Sequence, residues 1–130
     1  MMTTVQALIW SGILTLVMIL VAAALCAEAW TPEGMAVAFG NRDRIPPPSV
    51  RAGRADRAAK NMLVGMVLLL AAVLAAQLAG KAAQAATGAT VFFWARVVYW
   101  PVYIAGIMYL RTAVWTVSII GIAMIVMQVM

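Results

Sequence analysis

Histidine is absent from the 130 residues, cysteine occurs once, and four acidic side chains stand against nine basic ones. Each scarcity closes a class of function. With no imidazole and only Cys26 as a thiol, a dedicated transition-metal site lacks ligands. A single cysteine cannot form an internal disulfide, and it says nothing about redox compartment. Charged residues make up 10% of the chain, where a soluble domain carries about a quarter. Strict polar/apolar alternation, the mark of barrel strands, is also missing. What is present is 66% hydrophobic residues, gathered in long blocks, with a mean hydropathy of +1.02. Blocks of roughly 20 apolar residues match a bilayer core about 30 Å thick. A helix is the form in which such a block satisfies its own backbone. The expected fold class is therefore all-α: an integral membrane bundle of four helices, forming a single domain over residues 1–130.

The spans are expected at about 5–29, 51–79, 83–104 and 108–130, with a basic loop over 31–50. The first block has no positive leader and is longer than a signal-peptide core of about 7–15 residues, so it is expected to stay as a helix. In Ala24-Leu25-Cys26 the leucine directly precedes the cysteine, which is the wrong place for a lipobox. Thr31 to Val50 reads as a polar connection containing Pro46-Pro47-Pro48, which favours polyproline II and cannot continue a helix. Ser49 is placed to cap the next helix, and Gly106 to supply the turn between the last two.

Six of the nine bases, Arg42, Arg44, Arg51, Arg54, Arg57 and Lys60, fall between the first two apolar blocks, while the next connection holds only Lys81. That asymmetry argues for membrane orientation and against nucleic-acid binding. By the positive-inside rule the first connection is cytoplasmic and both termini face outward. The compact loops suit a bacterial inner membrane. Arg42, Arg44 and Arg51 read as signals toward an anionic membrane surface.

Arg96 stands out because it lies within an apolar helix that contains no acid. Charge in such a place is costly, about 2.5–3.5 kcal/mol on insertion scales, and usually faces a bundle interior. An anionic ligand, a lipid headgroup or an acid from elsewhere would answer it, or the side chain snorkels to the interface. Arg96, Tyr99 and Tyr103 share one helical face, as do Arg54, Arg57, Asn61 and Val64 on the preceding helix, with Lys60 alongside. Arg111 and Thr112 open the last helix. Together these would make a pocket of cations, phenols and an amide suited to a small anion with two carboxylates. Arg111 and Trp115 are four apart, a spacing that permits a cation–π contact, although packing is the expected role of Trp115.

The run Arg54-Ala55-Asp56-Arg57-Ala58-Ala59-Lys60-Asn61 resembles the second-helix signature of the MAPEG family, membrane-associated proteins of eicosanoid and glutathione metabolism. Ala95-Arg96-Val97-Val98-Tyr99-Trp100-Pro101-Val102-Tyr103, followed by Gly106 and Leu110-Arg111-Thr112, is similar to its third and fourth helices. Gly40-Asn41-Arg42-Asp43 and the prolines look like the short bacterial members. The resemblance implies a homotrimer that binds glutathione between subunits at the cytoplasmic side and acts as a transferase or peroxidase on lipophilic electrophiles from the bilayer. It implies that Arg57, Lys60 and Asn61 line or brace that site, with Tyr99 and Tyr103 at positions where the leukotriene-C synthase type also has tyrosines. It makes Arg111 the arginine that stabilises the glutathione thiolate, the catalytic role.

Two departures bear on activity. Glutathione-active members carry a glutamate three residues after the asparagine, where this chain has Val64. The late first-helix arginine of the animal enzymes is also missing, Pro32 and Glu33 lying nearby. Each lost charged hydrogen bond costs about 1.5–3 kcal/mol. A non-catalytic protein of the same fold, holding anionic lipid at its basic rim, is thus the second reading. A small multidrug/proton antiporter is the third. It needs a carboxylate near the membrane midplane, and only Glu28, at the end of the first helix, comes near one.

Overall fold

The computed structural model describes residues 2–28, 30–40 and 49–130. Arg42, Arg44 and the three prolines lie outside the described residues. Every element among the described residues is helical: α1 Thr4–Ala27, α2 Pro32–Phe39, α3 Val50–Leu78, α4 Ala82–Ala105 and α5 Met108–Val129.

The helix ends follow local chemistry. Thr3 and Gln6 form a reciprocal capping box at the start of α1, and Ser49 caps α3 by accepting from the Ala52 amide. Gly80 and Gly106 close α3 and α4 in left-handed conformations, with φ of 71° and 78°. In both turns the next amide reaches back to the helix, Lys81 to the Ala76 carbonyl and Ile107 to that of Val102. One expectation needs correction. The connection after α1 is not irregular throughout, because Thr31 accepts from the Gly34 amide and Pro32 occupies the first turn, which starts α2.

Three helices, α1, α3 and α5, are long and apolar enough to cross a membrane. At 24 residues α4 is as long as α1, about 36 Å at 1.5 Å per residue, but it is less apolar. The long helices alternate in direction. The Cys26 thiol at the end of α1 meets the Ala52 carbonyl near the start of α3, and the Thr4 hydroxyl donates to the Ala82 carbonyl at the start of α4.

Small side chains let the helices approach. Ala52, Ala55, Ala58, Ala59, Gly65, Ala72 and Ala76 form the buried stripe of α3. A Cβ on Gly88 of α4 would lie 2.5 Å from the Gly121 carbonyl of α5, so these helices meet backbone to backbone. Such contacts suit a solvent in which burying Leu gains nothing over lipid. Many large apolar residues point outward, among them Ile9, Ile13, Leu16 and Leu20 on α1 and Val67, Leu70 and Leu74 on α3, while Met18, Met62, Leu69 and Phe92 are buried. Among the described residues Arg96, toward the end of the molecule where α3 starts, α4 ends and α5 starts, is the one buried charge.

Candidate functional site

Arg96 is 1% exposed, so it does not snorkel. Its guanidinium Nη1 donates to Asn61 Oδ1 at 2.7 Å, across the α3–α4 seam. The charge also lies 5.3 Å from the centre of the Phe92 ring and 4.9 Å from that of Tyr99. Two π faces and one amide oxygen thus take the place of a carboxylate. Gly65, one turn beyond Asn61, makes the room: a Cβ there would lie 2.8 Å from Arg96 Nη2. Arg96 Nε remains buried without a partner.

That bond orients Asn61. A guanidinium only donates, so it holds the amide oxygen and turns the Asn61 NH2 the other way. Asn61 also lines a cavity of about 230 Å³, together with Tyr99, Tyr103, Arg111, Thr112 and Trp115. The Tyr99 and Tyr103 rings meet edge to face at 5.4 Å, and Arg111 sits 4.8 Å above the Tyr103 ring. Arg111 pairs with Tyr103, then, and Trp115 forms a wall. The Thr112 hydroxyl bonds back to the Met108 carbonyl at 3.3 Å, leaving its lone pairs free to accept. Charge, amide and phenols converge on one volume, and nearly all of them donate.

The predicted residues therefore separate. Asn61, Tyr99, Tyr103, Arg111 and Thr112 share the cavity, and Arg96 stands one layer behind as their support. Arg54, Arg57 and Lys60 do not line it. Arg54 turns toward the end of α4, where its Nη1 lies 3.4 Å from the Ile104 carbonyl. Arg57 is exposed, and Lys60 is exposed and held by Asp56 at 2.8 Å. Val64 is 63% exposed and does not line the cavity. Glu28 is exposed at the end of α1 and offers no buried carboxylate for proton exchange. Among the described residues no metal-ligating cluster occurs. The sequence reading missed Gly65 and Phe92. Their spacing was a usable signal, since each lies four residues from a residue already singled out, Asn61 and Arg96 respectively.

The family model of the MAPEG family matches residues 7–130. No curated protein and no solved structure matches the chain. The chain belongs to the MAPEG family and is an integral membrane protein.

Proposed function

From MAPEG membership as premise, we propose that this protein binds glutathione, or a closely similar thiol peptide, in the Arg111 cavity and transfers the thiolate to lipophilic electrophiles or uses it to reduce lipophilic peroxides. The observation that carries this reading is a cavity of donors with the Arg111 guanidinium at its wall, stacked on Tyr103 and without a carboxylate partner among the described residues. Glutathione supplies a thiol that is nucleophilic only when ionised. Arg111 would favour the thiolate as a fixed nearby positive charge, without exchanging a proton itself. The Asn61 NH2 and the Tyr99 and Tyr103 hydroxyls would hold the peptide's acceptor groups. Trp115 would shield the sulfur from bulk water.

Size bears on assembly. A drug-sized ligand occupies a pocket of about 300–1,000 Å³, and one chain encloses about 230 Å³ here. A neighbouring subunit completing the site is consistent with this shortfall, so the proposed unit is a homotrimer of four-helix bundles with α4 as the fourth span. Arg57 and Lys60, exposed on the rim, would reach the ligand only across such a boundary. The basic end is proposed to face the cytoplasm, both termini lying outside a bacterial inner membrane.

The test is titration calorimetry of the detergent-purified protein up to millimolar glutathione, with Arg111→Ala alongside. Saturable binding, weakened about tenfold or more by Arg111→Ala, is expected from the loss of a charged hydrogen bond. Absence of binding at millimolar ligand would overturn the reading. Binding without turnover of any electrophile would favour the second reading, a non-catalytic member.

A further inference from the structure

We infer that a second cleft at the basic end, lined by Val50, Arg51, Arg54, Pro101, Ile104 and Ala105, binds the phosphodiester of an anionic glycerophospholipid. The cleft measures about 630 Å³ and shares no lining residue with the Arg111 cavity. The inference does not depend on glutathione binding.

Among the described residues no carboxylate answers the charge in this cleft. Arg51 is exposed and has no ion-pair or hydrogen-bond partner among the described residues. Arg54, one turn along the same face of α3, places one nitrogen 3.4 Å from the Ile104 carbonyl, which leaves its other N–H groups free to donate. Asp56, the acid nearest in sequence, is already bonded to Lys60 at 2.8 Å. Two neighbouring guanidiniums suit a phosphate, whose oxygens accept several charge-assisted hydrogen bonds at once.

The turn after α4 is shaped around this arginine. Gly106 has a φ of 78°, and a Cβ on it would lie 2.6 Å from the Arg54 guanidinium. One glycine thus ends the helix and leaves room for the charge.

The floor decides which phosphate. Val50, Pro101, Ile104 and Ala105 are apolar, and Pro101 and Ala105 are exposed. A free phosphate gains nothing from that floor, whereas an acyl chain entering the bilayer would lie along it. The depth agrees. The cleft lies at the first turns of α3, within the charged segment Arg51 to Lys60 that precedes its apolar run, the level of the headgroups. Basic side chains at that level attract anionic lipid over zwitterionic lipid.

Native mass spectrometry of protein taken from bilayers of equal phosphatidylglycerol and phosphatidylcholine tests this. Wild type should retain phosphatidylglycerol preferentially. Arg51→Gln/Arg54→Gln should lower that preference about tenfold, and Arg57→Gln, a charge loss on the same rim but outside the cleft, should change it less than twofold. An equal loss in Arg57→Gln would overturn the site in favour of diffuse rim charge, and so would no preference in wild type. Displacement of the lipid by millimolar inorganic phosphate would mark a free-anion site. A change of oligomeric mass with lipid retention intact would mean that the cleft holds a second copy of the chain. Should the double variant fail to fold, Arg51→Gln alone carries the test. Arg51 is exposed and has no partner among the described residues, so that variant should fold and lose the preference several-fold.

Discussion

At the scale of residues, Arg96 and Asn61 are one unit. The guanidinium binds the amide oxygen, which leaves the amide NH2 free to donate, and Asn61 lines the Arg111 cavity. Asn61→Asp separates the two roles. A carboxylate pairs more strongly with Arg96 but presents an acceptor where the ligand needs a donor. The expected outcome is an unchanged or higher melting temperature together with glutathione affinity about tenfold lower, read by thermal unfolding and calorimetry on the same sample. Asn61→Leu removes the partner and leaves the Arg96 charge to the two aromatic faces. That variant should lose about 2 kcal/mol of stability, in the range of a broken hydrogen bond to a charged group. Equal stability of Asn61→Leu and wild type would show that the ring contacts alone carry the charge.

At the scale of elements, two glycines test different physics. Gly88 lies where α4 and α5 touch through their backbones, with the Gly121 carbonyl 2.5 Å from any added Cβ. Gly88→Leu must push the helices apart, at a cost of about 1–3 kcal/mol or more. Because α5 carries Arg111 and α4 carries Tyr103, the same displacement should weaken glutathione binding. Gly80 meets nothing within 4 Å, but its φ is 71°. Gly80→Ala should cost about 1–2 kcal/mol, the penalty of a left-handed L residue, and leave affinity unchanged. Chemical denaturation and calorimetry on the pair would show whether stability and binding part company as expected.

At the scale of the whole molecule, orientation and assembly decide what the site can meet. The basic cluster predicts that Lys60 faces the cytoplasm and Lys81 the opposite side. In a Cys26→Ala background, a membrane-impermeant maleimide added to intact cells should label Lys81→Cys and spare Lys60→Cys. The reverse pattern would place the cavity on the outer face, away from cytosolic thiols. Sedimentation in detergent should return the mass of three chains. A monomer that still binds glutathione would show that the 230 Å³ cavity needs no neighbour.

Sequence alone determined the features that rest on summed, local physics. Long apolar blocks made membrane helices, because a bilayer leaves the backbone no other partner. Ser49 and Gly106 marked ends, because caps and left-handed turns depend on a few adjacent residues. Arg111, Tyr99, Tyr103 and Asn61 were legible as a group through helical spacing and family resemblance. The tertiary structure alone decided which arginines share a cavity. Arg54, Arg57 and Asn61 are close in helical projection, yet Arg54 turns to Ile104, Arg57 stays exposed and Asn61 is drawn inward by Arg96. Helical periodicity assigns a face, but a long flexible side chain goes where a neighbouring helix leaves space and an acceptor. That choice belongs to the packing of α3 against α4, through Gly65 and Gly106, and neither helix encodes it alone.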